Sequence, residues 1–204
     1  MGGEFMNVKE LIEQGNRKLD YTLDNQLWYD YFNACLLELA PILRIEATVT
    51  IPYEKNNNIY DAPKDLVDDN IIMIKFNNGN NSRILERLTI DDFTHIGFKL
   101  FAGKIELCLG DIKVSEGASF TVWYYRLPKR ITTLSQEPEI PEPYQPLLLF
   151  YGAAKYNQTD EEPENETSFW KDYLMLRAQL EKAMKRKATH KRNLQWTLRR
   201  GLYG

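Results

Sequence analysis

The chain has 204 residues, 43% of them hydrophobic and 27% charged, which suffices to bury one core, or one core with an insertion, and excludes a disordered or fibrous chain. No apolar run approaches the roughly 18 residues that cross a bilayer; the longest, residues 146–151, is far shorter. The net charge of −3 is unevenly spread, because eight Lys/Arg and no acid lie from Lys182 to the end, leaving 18 basic against 29 acidic residues before it.

Residues 1–5 precede a second methionine, Met6, and Glu4-Phe5 is what an EcoRI site encodes in frame. This stretch reads as a vector scar, with the native start at Met6. No basic start leads into an apolar run, so no signal peptide is expected. Cys35 and Cys108 sit in apolar stretches without metal-ligand spacing. They read as buried free thiols of a reducing compartment.

The first helix has Asn7 as its cap and Glu10 three residues on, with Val8, Leu11, Ile12 and Leu19 at helical spacing. Gly15 weakens its middle. A second helix opens at Asp24. Leu27, Tyr31, Ala34, Cys35 and Leu37 make one face, with Trp28, Phe32 and Leu36 beside it, and Pro41 is expected to end it. The period then changes to two. Ile45, Ala47, Val49 and Ile51 alternate with Glu46, Thr48 and Thr50, a half-buried strand.

Strands continue at 59–60 and 71–76. Residues 77–81, Asn-Asn-Gly-Asn-Asn, form a hairpin tip, since Asn and Gly accept positive φ. A return strand follows over 83–88. Residues 90–101 read as a short helix or an irregular crossing. Strands at 104–109 and 119–126 complete the β-rich part. Residues 127–146 carry five prolines, an extended connection. Helix resumes over 147–157. Pro163 after the acids 160–162 opens a long helix with a stripe of Phe169, Tyr173, Leu176, Leu180 and Met184. Run to residue 189, it would be on the order of 40 Å long.

The fold class expected from this order is α+β. A four-helix bundle of two N-terminal and two C-terminal helices would carry an antiparallel β-rich insertion and a flexible basic C-terminal tail. The expected divisions are 6–42 (helix pair), 43–130 (insertion), 131–146 (connection), 147–190 (second helix pair, one bundle with the first) and 191–204 (tail).

Enzyme chemistry finds little support. There are two histidines, His95 and His190, and no nucleophile elbow, P-loop or phosphate cradle. Asp68-Asp69 and Asp91-Asp92 read as caps and solvated turns rather than metal ligands. No metal or cofactor is expected. Trp123, Tyr124 and Tyr125 beside Arg126, Lys129 and Arg130 could stack bases, although strand aromatics more commonly pack. The tail mixes basic residues with Leu194, Trp196, Leu198, Leu202 and Tyr203. Trp, Tyr and Arg are enriched at protein–protein hot spots, so protein docking is the favoured reading. A nucleic-acid-binding module using the same basic tail is the alternative.

The order of these pieces resembles the phage head–tail adaptor (head-completion) proteins, including the podovirus-like adaptors. Residues 27–38 look like that family's first paired helices. Tyr60-Asp61-Ala62-Pro63-Lys64-Asp65-Leu66 is similar to its aromatic-X-X-Pro-X-Asp element, with Ala62 where Leu is usual. Residues 122–128 resemble the closing strand and its exit, and residues 142–154 resemble the start of the third helix. The resemblance implies a structural, non-enzymatic protein of the virion neck, assembled in the host cytoplasm. It implies a dodecameric ring below the portal protein, with tail or neck proteins on its other side. Genomic DNA would pass through the lumen without sequence-specific contact, and no membrane would be involved. The tail, through Leu194, Trp196, Leu198, Arg199, Arg200, Leu202 and Tyr203, would dock on the portal.

Overall fold

The computed structural model describes residues 6–92, 95–159 and 163–201, with the backbone alone described at 159, 163–167 and 189–201. The chain divides into two compact units, Met1–Leu43 with Pro128–Gly204, and Arg44–Leu127.

The first unit is helical. Helix α1 (Val8–Leu19) opens on a capping box: Asn7 Oδ1 accepts from Glu10 N at 3.0 Å, and Glu10 Oε2 accepts from Asn7 N at 2.9 Å. Two further amides of its first turn, Val8 N and Lys9 N, donate to the carbonyls of Gln136 and Leu134. The Pro-rich connection therefore satisfies donors that no helix can satisfy for itself. Helix α2 (Asn25–Leu43) buries Trp28, Phe32, Cys35, Leu36, Leu39, Ala40 and Leu43. Helix α3 (Pro146–Thr159) buries Leu147, Leu148, Leu149, Tyr151, Ala153 and Ala154. So wide an apolar surface requires neighbours on several sides, and α3 packs on α1, α2 and α4 (Pro163–Gly201).

Trp28 is the centre of this core. Its ring is fully buried, and its indole N–H donates to Asn16 Oδ1 at 2.9 Å. The ring fits because α1 and α3 each present a glycine to it. A Cβ on Gly15 would come within 2.6 Å of the ring, and one on Gly152 within 2.5 Å. Gly15, a weak helix residue by propensity, is thus the space the ring occupies. Asn33 pins the connection by a reciprocal amide pair, donating to Ile131 O at 3.0 Å and accepting from Ile131 N at 2.7 Å.

The second unit is a seven-stranded sheet. Its strands are β1 (Ile45–Pro52), β2 (Ile59–Asp61), β3 (Leu66–Asn78), β4 (Asn81–Arg87), β5 (Gly97–Phe101), β6 (Lys104–Cys108) and β7 (Ser119–Arg126), in the order β1-β7-β3-β4-β5-β6-β2. Four strands separate β7 from β2, about 24 Å in a flat sheet at ~4.8 Å per strand. Yet Tyr60 of β2 lies against Phe120 of β7 with ring centroids 4.8 Å apart. The sheet is curled, and its concave face closes one core of Ile74, Phe76, Leu85, Phe98, Leu100, Ile105, Leu107, Phe120 and Val122. The hairpin joining β3 and β4 turns on Gly79-Asn80 between the paired Asn78 and Asn81. Gly79 has φ +60, the left-handed conformation that the first residue of such a turn requires.

Several expectations need correction. The molecule is not a four-helix bundle bearing an insertion: the described residues form four α-helices and a seven-stranded curled sheet. The seven strands close a hydrophobic core of their own, so the sheet is a second compact unit rather than an insertion carried by a bundle. The sheet is not wholly antiparallel, because β4 and β5 run parallel through Glu86↔Gly97 and Arg87↔Phe98. Residues 97–101, read as helix or irregular crossing, are strand β5. Its first four residues are all buried, so the alternation that marks a strand is missing. Pro41 does not end α2, which continues to Leu43. The core face of α2 is centred on Trp28 and Phe32, leaving Leu37 56% exposed. The helix expected to end near residue 189 is longer, because the backbone of α4 stays helical to Gly201. No Pro or Gly interrupts residues 164–200, and acids near its start with basic residues near its end both suit the helix dipole.

Candidate docking segment on the last helix

Helix α4 is anchored at its N-terminal half. Tyr173 and Leu180 are fully buried. Tyr151, Trp170 and Tyr173 meet edge to face with ring centroids 5.4–5.6 Å apart, a geometry that favours aromatic pairs. Lys155 Nζ lies 5.4 Å from the Trp170 centroid and 5.8 Å from that of Tyr151. The Tyr173 hydroxyl donates to Glu38 Oε1 at 2.8 Å, and Arg177 Nε stands 3.7 Å from the same oxygen. Burial, then the nearby Cys35 and Glu38, push the Tyr173 hydroxyl far above its ordinary pKa. It stays a neutral donor, tying α4 to α2. Helical spacing identifies Tyr173 as a core residue; that its hydroxyl meets Glu38 depends on how α2 and α4 are set against each other.

After Leu180 the helix changes character. Among residues 181–188 none is buried, and Lys182, Lys185, Arg186 and Lys187 are exposed. At 1.5 Å per residue the whole of α4 extends about 58 Å. Of the residues expected to dock, Leu194, Trp196, Leu198, Arg199 and Arg200 fall on the helical backbone of α4, with side chains outside the described residues. Leu202 and Tyr203 lie outside the described residues altogether.

The aromatic strand does not form a stacking platform of three rings. Tyr124 points into the curled sheet, buried at 6% exposure, and its hydroxyl donates to Asp65 Oδ1 at 2.9 Å. Burial first, and then Asp65, push its pKa up to about 12. Trp123 and Tyr125 occupy the opposite face and are half-buried. The Asp pairs have local roles. Asp68 and Asp69 adopt left-handed φ of 46 and 55 in a bulge between the pairs Leu66↔Arg126 and Ile71↔Tyr124. Asp92 holds His95 through Nδ1 at 2.8 Å. Among the described residues no three His, Cys, Asp or Glu side chains gather as metal ligands. Nor is any helix among them long and apolar enough to cross a membrane.

One family model, described as SU10 adaptor protein, matches residues 6–199. Among curated proteins none matches the chain. A match that runs from α1 into the last turns of α4 takes in both units, so it concerns the whole architecture rather than one shared motif. The chain belongs to the SU10 adaptor protein family, a family of phage head–tail adaptors.

Proposed function

We propose that this adaptor forms a homo-oligomeric ring beneath the portal, joins the capsid to tail or neck proteins, and leaves a lumen for genomic DNA. Family membership over residues 6–199 carries the reading. The composition of the chain's end supports the docking role: Leu194, Trp196, Leu198, Arg199, Arg200, Leu202 and Tyr203 combine aromatic, aliphatic and guanidinium groups, the mixture enriched at binding hot spots. A helix presenting such residues gives up less conformational freedom on docking than a disordered segment would. Ring closure then adds avidity to each contact.

The test is assembly on the portal protein of the same genome, with the full chain and with a chain lacking residues 193–204, imaged as particles. Rings from the full chain alone are the expected result. Undiminished assembly by the shortened chain would remove the docking role from these residues. Absence of any ring with either chain would remove the ring itself.

A further inference from the structure

Two exposed stripes of the helical unit match each other. On α2 the outward positions are Asp30, Ala34, Leu37 and Pro41, and on α4 they are Lys171, Met175, Ala178 and Lys182; all eight are exposed. By helical phase each set lies opposite its own helix's buried residues, Phe32 and Leu39 on α2, Tyr173 and Leu180 on α4. Leu37 and Met175 are 56% and 58% exposed, large apolar groups that the chain itself leaves uncovered. The stripes do not meet within one chain, where Glu38 joins α2 to Tyr173 and Arg177 instead.

Both stripes are spaced four, three and four residues apart, so two helices laid parallel can match them level by level. Asp30 would then face Lys171, Ala34 would face Met175, Leu37 would face Ala178, and Pro41 would face Lys182. An acid opposes a base, and each large apolar side chain opposes a small one, the alternation that close packing needs. Charge favours this pair of faces over either face with itself. Residues 25–43 hold Asp30 and Glu38 and no Lys, Arg or His, whereas the α4 stripe holds two lysines and no acid. Two α2 faces would set acid against acid, and two α4 faces lysine against lysine. The directions agree as well. Helix α2 runs antiparallel to α3, because Trp28 meets Gly152 while Cys35 Sγ meets Leu147 O. Helix α3 runs antiparallel to α4, because Tyr151 meets Tyr173 while Lys155 meets Trp170. So α2 and α4 are parallel, and rotation about an axis along the helices leaves the next copy's α2 parallel to this copy's α4. A contact between two different faces repeats head to tail, which is how a ring closes.

We infer that the α4 stripe of one copy docks in parallel on the α2 stripe of the next copy, as the lateral contact of the ring. The inference rests on the ring proposed above and names the two faces that build it.

The experiment is assembly of the full chain on the portal protein of the same genome, counted as rings in particle images. Met175→Glu with Ala178→Glu should cut ring formation at least about tenfold, because the contact would then bury charges against apolar groups. Ala34→Lys with Leu37→Lys should do the same from the other face. Circular dichroism and thermal unfolding of each free chain should be unchanged, since all four positions are exposed. The chain carrying all four substitutions should form rings again, because Lys at 34 then faces Glu at 175 and Lys at 37 faces Glu at 178. A loss caused by weaker portal docking would not be restored in this way. Rings at the unaltered level from either pair of substitutions would overturn the inference and leave the ring standing. So would failure of the fourfold variant to recover. No rings from the unaltered chain would remove the ring and this contact together.

Discussion

In the helical unit the core closes around one large ring. Trp28 occupies the volume that a Cβ on Gly15 or Gly152 would need, so three elements are fitted to each other at a single place. In the sheet unit the core closes along a row. One inward side chain after another, from Ile74 and Val122 to Phe120 and Phe76, is set by strand register. A fault at one inward position of such a row costs that residue's burial, whereas a fault at Trp28 disturbs α1, α2 and α3 together. The helical unit concentrates its specificity, and the sheet unit distributes it.

The most severe way to break this contrast is at the ring. Trp28→Ala should destabilise by about 3–5 kcal/mol, the range for emptying a large buried aromatic site, read by denaturant unfolding. Gly152→Ala should cost about 1–3 kcal/mol through overpacking. The double variant should cost clearly less than the sum, because the added methyl then has room. A strictly additive result would mean that the glycine is not there for the ring.

Tyr124 should contribute to the alkaline pH response of the sheet unit. Its pKa is raised from 10.0 to about 12 in the fold, by burial and then by Asp65. The neutral phenol is therefore favoured in the folded state. That stabilisation is fully present below pH 10 and is lost as pH rises through about 12, a total on the order of 2 kcal/mol. Tyr124→Phe should remove this part of the alkaline loss. An unchanged stability profile between pH 9 and 12 would show that Tyr124 titrates as an ordinary tyrosine.

The smallest expected effect is at the β5–β6 turn. Ala102 and Gly103 both have positive φ, 47 and 71, between the paired Phe101 and Lys104. An alanine is strained there, and Asn-Gly is the preferred sequence for such a turn. Ala102→Asn should raise stability by about 0.5 kcal/mol, seen as a higher thermal midpoint.

Much of the local structure was legible. The Asn7–Glu10 capping box, the alternation of β1 and the Asn-Gly hairpin tip each depend on residues within a few positions of one another. The docking segment was legible as composition only; its helical backbone was not expected, because lysine and arginine interrupt the apolar stripe of α4 after Met184. Strand β5 was missed because burial of both its faces removes the periodicity that would announce it.

The sequence by itself determined where α1, α2, β1 and β7 begin, which stretches carry charge, and the family to which their order belongs. Those properties follow from backbone sterics, capping chemistry and periodicity, all of them short-range. Only the tertiary structure decided that the sheet curls until Tyr60 meets Phe120, that β4 and β5 run parallel, and that Trp28 sits between two glycines. It also decided that the Tyr173 hydroxyl finds Glu38 across two helices. Each of these joins residues far apart in the chain. The choice of partner is set by which arrangement excludes the most water while leaving the fewest buried donors unpaired, and no local pattern encodes that sum.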